Sequence, residues 1–110
     1  MTIIRKLLRT DGTCTELHTE LTMTELCKLI DARRVEYARM RHLGGNPLHF
    51  LVFDESAIRK DLPLNLQATE LQAVECRTYH MHCQPGTLHK VRGNVVVQPA
   101  REFMAEGHRS

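Results

Sequence analysis

Apolar side chains recur at positions 3, 4, 7 and 8 near the start of the chain, a spacing that suits a short helix or a buried strand. The step Thr10-Asp11-Gly12-Thr13 selects the strand, because Asp-Gly is a strong two-residue hairpin turn whose central positions favour positive φ. The pattern predicts a strand over 2–9, a turn at 11–12 and a Thr-rich, alternating strand over 14–20 with one wet face. Thr22 followed by Glu25 is a capping box, and Leu21 with Leu26 occupies the staple positions around it. Met23, Leu26, Cys27 and Ile30 then form one apolar stripe, which predicts a helix over 23–32 with Cys27 as a small core residue.

Two further arms, 35–42 and 48–53, flank the turn-forming Leu43-Gly44-Gly45-Asn46-Pro47 and read as a central hairpin. Strict alternation places Val35, Tyr37, Arg39 and Arg41 on one face of it. Asn65 is a helix N-cap by type, with Ala68, Leu71 and Val74 or Cys76 turned inward along a helix over 66–76. Residues 77–92 read as a hairpin or long loop, Val95-Val96-Val97 as a short buried strand, and 100–110 as a fraying tail after a single domain over 1–99. The order β-β-α-β-β-α-β predicts an α+β fold: a two-layer, mostly antiparallel sheet of about five strands, with both helices on one face.

Composition changes this picture little. A chain of 110 residues, 42% hydrophobic, makes one domain with a core. Its longest apolar runs are a few residues, which predicts no membrane span. Residues 1–9 lack the long apolar stretch of a signal peptide, so a cytoplasmic protein with four reduced cysteines is expected. A net charge of +2, with no Trp, two Tyr and three Phe, disfavours a nucleic-acid surface. The cations are eleven Arg against four Lys. Arg's planar fork suits carboxylate and phosphate, although high-GC coding also enriches it.

Val52-Phe53-Asp54-Glu55, Leu62-Pro63-Leu64-Asn65, Ala68-Thr69-Glu70-Leu71 and Arg92-Gly93-Asn94-Val95-Val96-Val97 together resemble an uncharacterised family of small domains encoded largely by bacteriophages and prophages. The likeness covers about half of the chain, from its middle onward. It implies phage origin, hence a bacterial host cytoplasm, and a compact α+β fold, and it carries no activity to transfer. Residues 77–89 read as an insertion relative to that pattern.

Cys76, His80, His82 and Cys83 place four zinc-type ligands within eight residues. Their spacing departs from the common pairs, and adjacent His82 and Cys83 would diverge in a strand, so a polar surface hairpin is the expected reading and no metal is assigned. Cys76 or Cys83 with His80 lacks the flanking signature of a nucleophile. Asp54-Glu55 reads as a strand end that caps the next turn. No phosphate loop, dinucleotide fingerprint or HExxH helix occurs, so no cofactor is expected. For an anionic ligand the available groups are the forks of Arg39, Arg41 and Arg92, with Asn65 and Thr69 at a helix N-terminus and Asn94 beside Gly93.

Three function classes follow. The first is a phage counter-defence or host-takeover protein that binds without turnover, most concretely a homo-oligomeric sponge for a nucleotide-derived immune signal. Its pocket would lie where the second helix starts beside the last strand, completed by the Arg face of a neighbouring subunit. The second is an inhibitor that blocks a host protein through a sheet edge or the 77–90 segment. The third is a small metal-assisted nucleotide enzyme.

Overall fold

The computed structural model describes residues 3–43, 47–79 and 90–107. Their elements are β1 (Lys6–Leu8), β2 (Cys14–Glu16), α1 (Met23–Ile30), β3 (Val35–Arg39), a 3-10 turn at Arg41–Leu43, β4 (His49–Asp54), α2 (Leu66–Tyr79), β5 (Val95–Pro99) and α3 (Ala100–Gly107). The strands form one five-stranded sheet in the order β2-β1-β5-β4-β3. Every neighbouring pair is antiparallel. The α+β class and the five antiparallel strands are those expected.

The helices do not share a face. Leu26 and Ile30 of α1 pack with Leu7, Phe50, Val52 and Val96, and α3 adds Ala100 and Phe103 to that side. Ala68 and Leu71 of α2 pack instead with Leu8, Leu51, Val95 and Val97. Alternate residues of one strand point to opposite faces, so the sheet is covered on both sides. This explains why β4 and β5 are apolar without alternation: a strand buried on both faces has no wet side to mark. Leu51, Val52, Val95 and Val96 are all 0% exposed.

Local signals set the elements. Arg9 N–H donates to the Thr13 carbonyl and Gly12 N–H to the Arg9 carbonyl, and only Gly12 takes positive φ, at 90°. The hairpin therefore has a three-residue loop closed by a left-handed glycine, where two positive-φ residues were expected. In α1 both halves of the Thr22–Glu25 capping box form, at 3.1 and 2.9 Å. The helix ends at Ile30 because Asp31 adopts the left-handed conformation, with φ 55°. Ala32 N–H then reaches the Cys27 carbonyl and Asp31 N–H the Lys28 carbonyl, the bond pattern of a Schellman cap.

Residues 100–107 are helix α3 where a fraying tail was expected. Glu102, 6% exposed, takes a forked pair of bonds from Arg5, with Nε at 2.9 Å from Oε1 and Nη2 at 2.6 Å from Oε2. Phe103 meets Tyr37 and Phe50 in an aromatic trio, with ring centroids 4.3 to 5.8 Å apart. No helix among the described residues is long and apolar enough to cross a membrane. The expectations for the 44–46 turn and for residues 80–89 lie outside the described residues.

Candidate functional site

The six side chains expected to hold an anion do not converge. Asn65 is 0% exposed. Its Oδ1 caps α2 by accepting the Ala68 N–H at 3.1 Å, and its Nδ2 donates to the Leu8 and Gly93 carbonyls at 3.0 and 2.9 Å. Thr69 Oγ1 accepts the Val91 N–H at 3.0 Å, and Asn94 Oδ1 accepts the Thr10 N–H at 3.0 Å. These polar groups therefore serve as staples between α2, β1 and the approach to β5. The N-cap assignment of Asn65 holds.

Arg39 and Arg41 also part company. β3 ends at Arg39, and the 3-10 turn over Arg41–Leu43 breaks the alternation that would have kept the two on one face. Arg39 is exposed. Arg41 Nε lies 3.1 Å from Glu75 Oε2, with its guanidinium 4.1 Å from the Tyr79 ring centroid. Glu75 is 0% exposed and also accepts the His42 backbone N–H at 3.0 Å and its ring Nδ1 at 2.7 Å. Burial pushes the Glu75 carboxyl up, but the bonds from His42 and Arg41 outweigh it and hold the pKa below the ordinary carboxylate value. This cluster clamps the β3–β4 connection onto α2 and uses up one predicted anion fork.

Cys76 is disulfide-bonded, contrary to the expectation of reduced thiols. His80, His82 and Cys83 lie outside the described residues, among which no group of metal-type ligands gathers. Cys14 and Cys27 are free thiols. Cys27 is partly buried in α1, and burial with the nearby Asp54 charge pushes its pKa up.

What the fold does form is a cleft of about 320 Å³ beside the edge strand β3, on the α2 face of the sheet. Ala38 of β3, Phe53 of β4, Ala57, Ile58 and Val91 are its apolar lining, joined by Gln72 of α2. Lys90 and Arg92 bring two cations, and Glu36, Asp54 and Glu55 bring carboxylates.

Two sets of bonds hold these walls. Asp54 fixes the turn after β4 by accepting the Ser56 N–H at 2.8 Å and Lys60 Nζ at 2.6 Å. The 90–93 segment is held by the Thr69–Val91 bond, by Asn65 N–H to the Val91 carbonyl at 2.8 Å and by Gly93 N–H to the Pro63 carbonyl at 2.8 Å. Asn65 and Thr69, expected as ligands, are thus positioning residues for this rim. Arg92 uses one nitrogen on the Leu62 carbonyl at 3.0 Å, and its contact with the exposed Asp61 is loose, at 3.9 Å.

Of the predicted anion ligands only Arg92 lines this cleft. Gln72 and Lys90 are not singled out from sequence, and Phe53 enters there only through the resemblance. Lys90-Val91-Arg92 does carry a signal, two cations flanking an apolar residue at strand spacing. Gln72 carries one as well, as a polar residue between Ala68 and Cys76 in the i, i+4 stripe of an otherwise inward face.

Together these features define an α+β domain with helices on both faces of the sheet and, at one edge, a mainly apolar cleft that also carries charged side chains. Comparison with protein-family models, with curated proteins and with solved structures finds no match.

Proposed function

We propose that the protein is a binding protein that sequesters a nucleotide-derived small molecule in the cleft between β3, α2 and the 90–92 segment. The observation that carries this reading is that Arg92 and Lys90 line one cleft together with the apolar side chains of Ala38, Phe53, Ile58 and Val91. A bare phosphate would meet the Glu36 and Glu55 carboxylates as well as the cations, so a simple anion fits poorly. A nucleoside phosphate suits all three kinds of surface: its base lies on Phe53, its phosphate meets Arg92 and Lys90, and its ribose hydroxyls donate to a carboxylate. The volume falls at the lower end of the range of ~300–1,000 Å³ usual for small-molecule sites. The resemblance to phage-encoded domains supplies the setting, a counter-defence or host-takeover protein that withholds such a signal without turning it over.

The test is calorimetric titration with mono-, cyclic and ADP-ribose-type nucleotides, followed by heat release and mass analysis of what was bound. Sequestration returns the ligand intact. Arg92→Ala should weaken binding by about 1.5–3 kcal/mol, the worth of a hydrogen bond to a charged group, while the chain stays folded. A converted ligand would make the protein an enzyme, and the absence of any binding would move the reading to a protein-blocking inhibitor.

A further inference from the structure

The two faces of the sheet are not covered alike. Helices α1 and α3 share the cover of one face, whereas among the described residues α2 is the helix on the other. The outer strands of a five-stranded sheet stand about 19 Å apart, and one helix is only about 10–12 Å across. Both flanks of the α2 face therefore stay open. The cleft beside β3 is one of them. The other is a cleft of about 510 Å³ between α2 and the β1–β2 end of the sheet. Its lining is mainly aliphatic: Ile4, Leu8, Leu43 and Val97, with Leu66 and Leu71 of α2. Leu66 is 71% exposed.

One cation stands in this lining. Lys6 lies opposite Val97 in the β1–β5 register, so its side chain leaves the sheet on the α2 face with Val97 and Leu8. It is half-buried and forms no ion pair among the described residues. Glu16, opposite Lys6 in the β1–β2 register, is exposed and does not pair with it. Glu70, the carboxylate of the lining, is 68% exposed and lies 3.6 Å from Arg77. Gln67 donates its Nε2 to the Gly12 carbonyl at 2.6 Å. A cation held among aliphatic side chains without a counter-charge is complementary to an aliphatic chain that ends in an anion.

We propose that this cleft is a second ligand site, for an unbranched aliphatic carboxylate whose chain packs on Leu8, Leu66 and Leu71 and whose head group pairs with Lys6. A single ammonium matches the single charge of a carboxylate, where a phosphate would call for more donors. The proposal is independent of the nucleotide reading, because the two clefts share no lining residue.

The experiment titrates the wild-type chain with hexanoate, octanoate and decanoate below their micelle concentrations, and with octan-1-ol. Each added pair of methylenes should tighten binding about tenfold. Octan-1-ol should bind about tenfold more weakly than octanoate, and Lys6→Gln should bind the two alike. Cys14, an exposed free thiol in the lining, reports occupancy in the wild-type chain. With decanoate at about ten times its Kd, alkylation of Cys14 should slow about tenfold. Cys27 in α1, which packs on the opposite face, should react at an unchanged rate.

No saturable binding, or binding indifferent to chain length, overturns the proposal. Octan-1-ol binding as tightly as octanoate, or a folded Lys6→Gln that still prefers octanoate, removes Lys6 as the head-group partner and overturns it too. Binding that leaves Cys14 reactive places the ligand elsewhere and has the same consequence.

Discussion

Replacing Gln72 with Met should make the free protein more stable. The wild-type side chain is buried, its Oε1 has no partner among the described residues, and an unsatisfied buried acceptor costs about 1–3 kcal/mol relative to a satisfied or absent one. Met has nearly the same length and flexibility, so it fills the site without a cavity and without forcing its neighbours apart. The change removes only the amide nitrogen's 3.8 Å contact with Cys76 Sγ, which lies at the weak end of hydrogen bonding. The balance is a gain of about 1–2 kcal/mol. Each kcal/mol is worth about 4–8 °C in the Tm of domains slightly smaller than this one. Urea melts followed by circular dichroism should show a higher midpoint with an unchanged slope. A loss of stability would show that Oε1 is satisfied in solution and would refute the reasoning.

Other expectations concern the scaffold. Thr22→Ala removes the reciprocal bonds of the α1 capping box and should cost about 1 kcal/mol in urea melts, with ligand affinity unchanged. Gly93→Ala forces a side chain into φ +81° and sets its Cβ 2.8 Å from Leu62 Cδ1. It should cost about 1–2 kcal/mol from the left-handed backbone alone, and a variant as stable as wild type would count against that conformation. His49 is buried with Nε2 accepting the Ile4 N–H at 2.9 Å and Nδ1 donating to the Pro47 carbonyl at 3.0 Å. Burial holds its pKa below the ordinary 6.5. Below pH 6.5 the unfolded chain therefore binds a proton that the folded one refuses. The contribution is complete above that pH and declines as the pH falls, by up to about 1.4 kcal/mol per pH unit. Melts of wild type and His49→Gln between pH 7.5 and 5 should show a shallower acid limb in the variant, and equal limbs would remove His49 as the cause.

The local grammar of the chain was legible, and its long-range consequences were less so. The Thr22–Glu25 box, the Asn65 cap and the Asp-Gly hairpin each need only residues a few positions apart, and the hairpin erred only in its loop length. The layer arrangement was misjudged although a signal was present. Leu51-Val52-Phe53 and Val95-Val96-Val97 lack alternation, and such runs require cover on both faces. Helix α3 was missed because what holds it is non-local: Glu102 meets Arg5 across 97 positions, and Phe103 meets Tyr37 and Phe50.

The same distinction governs the site. The sequence points to Asn65 and Thr69 as ligands through their place at a helix N-terminus, and to Asn94 through its place beside Gly93. Folding assigns their polar atoms to backbone groups of Leu8, Gly93, Val91 and Thr10. Arg41 was lost to the buried Glu75, a pairing that depends on the 3-10 turn after β3. Gln72 is marked in the sequence only as a polar residue in the inward stripe of α2, and that its Oε1 goes unpaired among the described residues is visible only in the fold.

The most direct test of the central claim is a backbone amide NMR titration of the isotopically labelled protein with nucleoside 5′-monophosphates. The account predicts that the largest saturable shifts fall at Ala38, Phe53, Gln72, Val91 and Arg92, which line the cleft beside β3. Shifts concentrated on β2 or α1, or no shift with any of the four nucleotides, would contradict it.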